Sequence, residues 1–140
     1  MIDSFNPPGI WSPFGAFSMG VIQGEGQIVY LKGQVSLDHD GHIVGKGDMQ
    51  AQVQMTLVNI QTVLDSIGGT MADIVSLTQY VTDIKQFMGA GEVRKRFFVE
   101  PYPITTTVQI SSLYDPNLMV EITAIAEIAQ ERFKRPIGKT

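Results

Sequence analysis

The chain has 140 residues, a length typical of one domain and sufficient for a substantial hydrophobic core. Ten Lys and Arg against fourteen Asp and Glu give a net charge of −4, which disfavours sequence-independent nucleic-acid binding because such binding needs a positive field. The sequence has no cysteine, which excludes disulfides, thiolate metal sites and a cysteine nucleophile.

The N-terminal residues 1–15 are rich in Pro and Gly and predict an irregular arm. Trp11 and Phe14 in this arm are expected to pin it to the body of the protein, and lining a ligand site is the alternative role for such aromatics. Residues 16–129 are predicted to form a single domain, and the basic residues 130–140 a flexible tail.

The first half of the domain predicts three strands and a long helix. The strands are expected at residues 17–22, 27–35 and 42–45, with a hairpin turn at Asp40-Gly41. A helix should begin at Asp48 and end at Gly68-Gly69. Its apolar residues recur every three or four positions and form one stripe, which consists of Val53, Leu57, Ile60, Leu64 and Ile67.

The second half continues the alternation. It predicts a strand at 74–82, a helical region at 83–98 interrupted at 89–91, and strands at 104–113 and 118–129. The order is β-β-β-α-β-α-β-β, which indicates an α+β fold with helices on one face of a mixed sheet.

The other face of this sheet is expected to be polar but poor in charge. It would carry alternate residues of three strands, namely Tyr30, Lys32 and Gln34, then Thr105, Thr107, Gln109 and Ser111, then Met119, Glu121, Thr123, Ile125 and Glu127. A freely solvated face would carry more charge, so we expect this face to pack against other subunits and to line a wet cleft. The low charged fraction of the whole chain, 17%, favours the same conclusion.

Glu121 is the first candidate for catalysis, because it lies mid-strand between Val120 and Ile122 on that face. A semi-buried carboxylate can act as a general acid or base. The alternative, which the pattern alone favours, is an ion pair with a nearby Lys or Arg. Lys32 on the same face could hold an anionic substrate or could pair with Glu121.

Metal and nucleophile sites are weakly supported. Asp38, His39, Asp40 and His42 lie together, but Asp and Gly serve the turn there and adjacent turn side chains diverge, so we expect no metal site. The sequence has no Gly-x-Ser-x-Gly elbow and no phosphate-binding glycine loop. It also has neither a signal peptide nor an apolar run of about 18 residues, so we expect a cytoplasmic protein that does not enter membranes.

Several segments, in the same order, resemble the YjgF/Rid family of reactive-intermediate (enamine/imine) deaminases over roughly residues 12–128. Residues 29–35 resemble the Ser-Gly-Gln strand of the family, with Lys32 in place of the Ser. Residues 50–69 are similar to its first helix, and Asp73-Ile74-Val75 with Thr82-Asp83 to the following strand. The C-terminal signature of the family matches Phe97-Phe98, Pro103, Val120-Glu121-Ile122 and Ala124-Ile125-Ala126.

The resemblance implies a chorismate-mutase-like fold and a homotrimer, with a central barrel and three clefts between subunits. It implies hydrolysis of 2-imino or enamine acids to 2-oxo acids and ammonia without a cofactor. In the family an Arg after the signature Pro binds the substrate carboxylate, and a Glu, here Glu121, positions the attacking water. Gly33 also stands at a usual site position.

Three other site positions depart from the family. Thr105 replaces the Arg, Phe14 replaces a Tyr in the arm, and an Asn of the second helix falls on Gly91. One hypothesis is a divergent enzyme for a different imine, enamine or related carbonyl compound, in which Lys32 supplies the lost cation and Thr105 and Thr107 shape the cleft. The other hypothesis is an inactive trimer that binds a small metabolite or a protein partner, with no role for nucleic acid.

Overall fold

The computed structural model describes residues 2–136, which form six strands, three α-helices and one 3₁₀ turn. The strands are β1 (Asp3–Phe5), β2 (Gly20–Ile22), β3 (Gln27–Tyr30), β4 (Ile74–Val81), β5 (Ile104–Gln109) and β6 (Val120–Ile128). The helices are α1 (Met49–Asp65), α2 (Ile84–Met88) and α3 (Gly91–Lys95), and the 3₁₀ turn is Met71–Asp73.

The main sheet has four strands in the order β3-β6-β4-β5. β4 and β5 are parallel, whereas β6 is antiparallel to both β3 and β4, so the sheet is mixed. A parallel pair needs a crossover connection, which α2 and α3 provide. The α+β fold with helices on one face of a mixed sheet is confirmed.

Helix α1 forms as its sequence predicts. The side chain of Asp48 caps the N-terminus by accepting a hydrogen bond from the Ala51 backbone N–H at 3.1 Å. All five residues of the predicted apolar stripe are buried against the sheet. The chain turns away after the helix at Gly68, whose φ of +83° is a left-handed conformation that glycine adopts without strain. No helix in residues 2–136 is both long and apolar enough to cross a membrane.

The short N-terminal strands differ from the prediction. The arm contributes β1, which pairs with β2 in a separate two-stranded sheet. The expected strand at 42–45 is reduced to one bridge between Leu37 and Ile43. It cannot extend because Gly45 and Gly47, at φ +77° and +74°, turn the chain toward α1.

The face assignment of β5 was wrong. Thr105 and Thr107 pair in register with Leu77 and Gln79 of β4, which are buried on the side that the helices cover. The apolar residues of β5 lie on the opposite, uncovered face, where Ile104 and Val108 are 37% and 40% exposed. The predicted inward and outward faces of β5 are therefore exchanged. The sequence could not show this, because an edge strand with an uncovered apolar side has the same alternating pattern as one with a buried apolar side.

The start of the predicted tail contacts the body of the protein. Arg132 donates to both carboxylate oxygens of Asp73, at 2.9 and 2.6 Å, and to the Gly68 carbonyl at 3.1 Å. The backbone N–H of Lys134 donates to the Ile67 carbonyl at 2.9 Å. These bonds hold residues 132–134 against the end of α1, whereas residues 137–140 of the predicted tail lie outside the described residues.

Gln52 ties two loops to α1. It is fully buried, and its side-chain nitrogen donates to the backbone carbonyls of Gly45 and Asn117 at 3.0 and 2.9 Å. Its side-chain oxygen accepts from the backbone N–H of Met119 at 2.8 Å. One amide thereby satisfies three backbone groups that the interior would otherwise leave unpaired.

We predict that Gln52→Met lowers the free energy of unfolding by about 2–4 kcal/mol, because it keeps the volume but leaves buried backbone groups without partners. The measurement is urea denaturation followed by circular dichroism at a fixed protein concentration. Gln54→Met is the matched control, since Gln54 is exposed on the same helix and its change should stay within about 0.5 kcal/mol. Equal effects of the two substitutions would contradict the assigned role of Gln52.

Candidate functional site

A cavity of about 510 Å³ opens between the N-terminal arm, helices α2 and α3, and the helix side of β4 and β5. This volume lies within the range of small-molecule sites. Four residues selected from the sequence line it, namely Phe14, Gly91, Thr105 and Thr107. Gly91 begins α3, and a β-carbon added there would meet open space.

An aromatic cluster of Trp11, Phe14 and Phe17 forms one wall of this cavity. Phe14 stacks on Trp11 with ring centroids 5.9 Å apart and meets Phe17 edge to face at 5.2 Å. Trp11 and Phe14 remain 59% and 75% exposed, so they pack mainly on each other and on Phe17 rather than in the core. The cluster therefore presents apolar rings to the cavity, which the pinning role expected from the sequence does not account for.

A polar network crosses the floor of the cavity. Arg94 of α3 donates through Nε to the side-chain oxygen of Gln79 at 2.8 Å. Gln79 in turn donates through Nε2 to the hydroxyl of Thr107 at 2.7 Å. Gln79 is only 2% exposed, so these two bonds satisfy a side-chain amide that is otherwise enclosed by the core.

The guanidinium of Arg94 is incompletely paired. Its Nη2 is shielded from solvent and has no hydrogen-bond acceptor. The ring of Phe98 lies under the guanidinium carbon at 5.0 Å, which is a cation–π contact. Burial lowers the pKa of Arg94 to about 10, so the group is still a cation at neutral pH.

Glu121 lies on the opposite, uncovered face of the sheet. It is half-buried in β6, directly across from Tyr80 of β4. Its carboxylate lies against Gly33, where an added β-carbon would overlap the oxygen Oε2 and approach the hydroxyl of Thr123. Gly33 is thus the residue that makes room for the carboxylate.

The backbone at Gly33 departs from regular strand pairing. Leu31 donates to the Ala124 carbonyl and Gln34 to the Ile122 carbonyl, so three positions on one strand oppose two on the other. Lys32 and Gly33 lie in this bulge, and bulges often re-aim side chains beside functional sites. Lys32 is exposed, and no ion pair joins it to Glu121. Within residues 2–136, the carboxylate of Glu121 makes no hydrogen bond or ion pair, so the expected pairing with a Lys or Arg is not present there.

The predicted site residues therefore fall into two groups. Phe14, Gly91, Thr105 and Thr107 line the cavity under the helices, whereas Lys32, Gly33 and Glu121 lie at the uncovered face. Gln79 and Tyr80 are neighbours in β4, but their side chains lie on opposite faces of the sheet. Gln79 is therefore beside Thr107 of the first group, and Tyr80 is beside Glu121 of the second. One chain alone does not bring these two groups together.

Sequence reasoning missed Arg94 and Gln79, although each has a signal. Ala90, Arg94 and Phe98 are spaced by four, and the first and last are buried, so helical periodicity turns Arg94 inward. Gln79 stands between Leu77 and Val81 on the buried side of a strand. A polar residue inside an apolar alternation indicates a partner or a site.

The turn at residues 38–42 brings ligand atoms of Asp38, Asp40 and His42 within 4.8 Å of one another. One oxygen of Asp38 accepts from the backbone N–H groups of Asp40 and His42, both at 2.9 Å. The bond from His42 is the main cause that lowers the pKa of Asp38. These bonds account for the cluster as the internal structure of a turn.

Comparison with known proteins identifies the family to which the chain is similar. The family model for endoribonuclease L-PSP matches residues 10–128. A RutC family protein from Pyrococcus horikoshii is 30% identical over 114 residues, which cover 81% of this chain and 88% of the relative. A Rid family protein of unknown function from Yersinia pestis has a similar structure, with a TM-score of 0.82, 29% identity and coverage of 91% of this chain and 98% of that one.

A second solved structure is a member of the YjgF/YER057c/UK114 family from Mycobacterium tuberculosis. It has a TM-score of 0.64 and 33% identity, and the alignment covers 80% of this chain and 86% of that chain. The family model alone spans most of the sequence, including both groups of candidate site residues. The chain therefore belongs to the YjgF/Rid family.

Proposed function

We propose that the protein hydrolyses a small imine, enamine or related carbonyl metabolite without a cofactor, in clefts formed between the subunits of a homotrimer. The observation that carries the proposal is the carboxylate of Glu121, half-buried in a sheet and without a partner among the described residues. Such a group is available to take and return a proton.

Imine hydrolysis needs little more than such a group and a water molecule. The substrate reacts as the protonated imine. Glu121 accepts a proton from water as the water oxygen bonds to the imine carbon, and the electron pair of the carbon–nitrogen π bond moves to nitrogen. The protonated Glu121 then returns this proton to the nitrogen of the amino alcohol, which leaves as ammonia while the carbon–oxygen double bond forms and the hydroxyl proton passes to solvent. Glu121 therefore ends the cycle ionised.

The separation of the two groups of site residues supports a cleft between subunits. The cavity with Thr105 and Thr107 opens on the helix side, and Glu121 with Gly33 lies on the other side of the same sheet. A second copy can place its uncovered face at the edge of the cavity, as the symmetry of a closed homo-oligomer allows. Each cleft would then draw its cavity from one protomer and its carboxylate from the next.

The name of the family model refers to a ribonuclease, but the charge of this chain favours a small molecule. The net charge is −4, and the cavity wall is an aromatic cluster rather than a basic groove. Thr105 keeps the role that the sequence suggested, as a wall of the cavity, whereas Lys32 is an exposed residue that does not line the cavity. The alternative function is binding without catalysis, which the first experiment below separates from hydrolysis.

We predict that Glu121→Gln reduces ammonia release from freshly generated imino acids by about 10²- to 10⁴-fold, because the amide cannot accept the proton of the water. Ammonia is measured as a rate above the uncatalysed one, across substrates with small, branched and aromatic side chains. Glu25→Gln is the control, since Glu25 is an exposed acid and its substitution removes the same charge. A folded wild-type protein that never exceeds the uncatalysed rate would favour the binding role.

We further predict complementation between two inactive variants, Glu121→Gln and the cavity-filling Thr105→Trp. After the two proteins are unfolded together and refolded as an equal mixture, a cleft is intact when its cavity and its carboxylate come from the appropriate chains. This gives about one quarter of wild-type activity for random assembly of a cyclic oligomer. Each variant refolded alone is the control. A mixture as inactive as its components would place both groups in one chain and overturn the shared cleft.

A further inference from the structure

The strand residues that line the cavity carry no charge, but a helix supplies a cation. The resemblance places the anion-binding Arg of the family at position 105, where this chain has Thr105. Arg94 reaches the same cavity from helix α3. Its exposed neighbour Lys95 also lines the cavity, but among the described residues that lysine makes no hydrogen bond or ion pair that would orient it.

Arg94 is held in place by contacts on two sides. Its Nε–H is used by Gln79, which is itself fixed by Thr107, and its flat face lies over Phe98. Both partners are buried. With Nε occupied and Nη2 closed to solvent, Nη1 is the nitrogen through which the guanidinium can donate to a ligand in the cavity.

The arrangement leaves a charge without a counter-ion. No ion pair described within residues 2–136 includes Arg94. A half-buried cation that has no acidic partner is unfavourable unless an anion completes it.

We propose that Arg94 is the residue that binds the carboxylate of the ligand, and that Gln79 and Thr107 are positioning residues for it. The aromatic cluster then contacts the rest of the ligand, which makes the ligand class a small carboxylic acid with an apolar or aromatic side chain. The inference rests on the proposed function in that it names the substrate class of the same site. It assigns the cation to α3 instead of to Lys32 in the bulge.

Trp11 provides a direct measurement of binding, because it is the single tryptophan of the chain and lines the cavity. The probes are 3-phenylpropanoate and 3-phenylpropanamide, which have nearly the same shape and differ in charge. Titration of each probe is followed by tryptophan fluorescence. We expect the wild-type protein to bind the carboxylate at least about 10-fold more tightly than the amide, as charge-assisted bonds to a guanidinium require.

The variants test which cation is responsible. We expect Arg94→Gln to weaken carboxylate binding by roughly 10- to 100-fold while leaving amide binding unchanged. Arg94→Lys keeps the positive charge without the planar guanidinium group, so it should recover only part of the carboxylate binding that Arg94→Gln loses. Lys95→Gln and Lys32→Gln are the controls, and each should change carboxylate binding by less than about 3-fold.

Two results would overturn the proposal. One is equal affinity of the wild-type protein for the two probes, which needs no variant and so does not depend on the folding of any substitution. The other is a loss of carboxylate binding in Lys32→Gln or Lys95→Gln that Arg94→Gln does not share. Neither result changes the outcome of the hydrolysis test with Glu121→Gln. Conversely, an absence of ammonia release would not decide whether the protein prefers the carboxylate probe to the amide probe.

Discussion

The register of strand β4 determines on which face of the sheet the candidate residues of β4, β5 and β6 lie. β4 pairs with β5 on one side and with β6 on the other, so its alternation fixes the faces of both neighbours. Gln79 faces the helices, and so does its register partner Thr107 of β5. The next residue, Tyr80, faces away from the helices, and so does its register partner Glu121 of β6. A shift of one residue would exchange the two faces and destroy both the cavity network and the setting of the carboxylate.

Several buried polar side chains on the helix side of the sheet are fully engaged in hydrogen bonds. Gln52 satisfies three backbone groups, and Gln79 joins Arg94 to Thr107. Asp73 receives both a backbone N–H from Thr70 and the guanidinium of Arg132. Within residues 2–136, two buried side-chain atoms lack a hydrogen-bond partner, Oγ1 of Thr56 and Nη2 of Arg94, and the second belongs to a charged group.

Helix α1 could be predicted in full and strand β5 could not, for a physical reason. The apolar stripe of α1 extends over four turns, and an Asp cap and a glycine pair bound it. The helical periodicity and the signals for the two helix ends therefore indicate the same helix. β5 is a six-residue edge strand whose two sides are both partly covered, and its apolar side happens to face away from the helices. Which side of such a strand faces the core is decided by its neighbour β4 and not by its own sequence.

Arg94 was missed for a related reason. Helix α3 has only five residues, and the buried residues four positions before and after Arg94, which are Ala90 and Phe98, lie outside it. The adjacent Lys95 and Arg96 are also typical of a solvated basic run. Because the resemblance implies an Arg on a strand, Lys32, which is also expected on a strand, was the predicted replacement for that cation. The fold brings α3 over β5, so positions 94 and 105 border one cavity from two elements. The cation can therefore be on the helix instead of the strand while the ligand carboxylate that it binds stays in the same place. This requires a buried partner such as Gln79 to orient the arginine side chain, which reaches the ligand from further away. This makes the two departures, Thr105 and the Arg94–Gln79 pair, parts of one change.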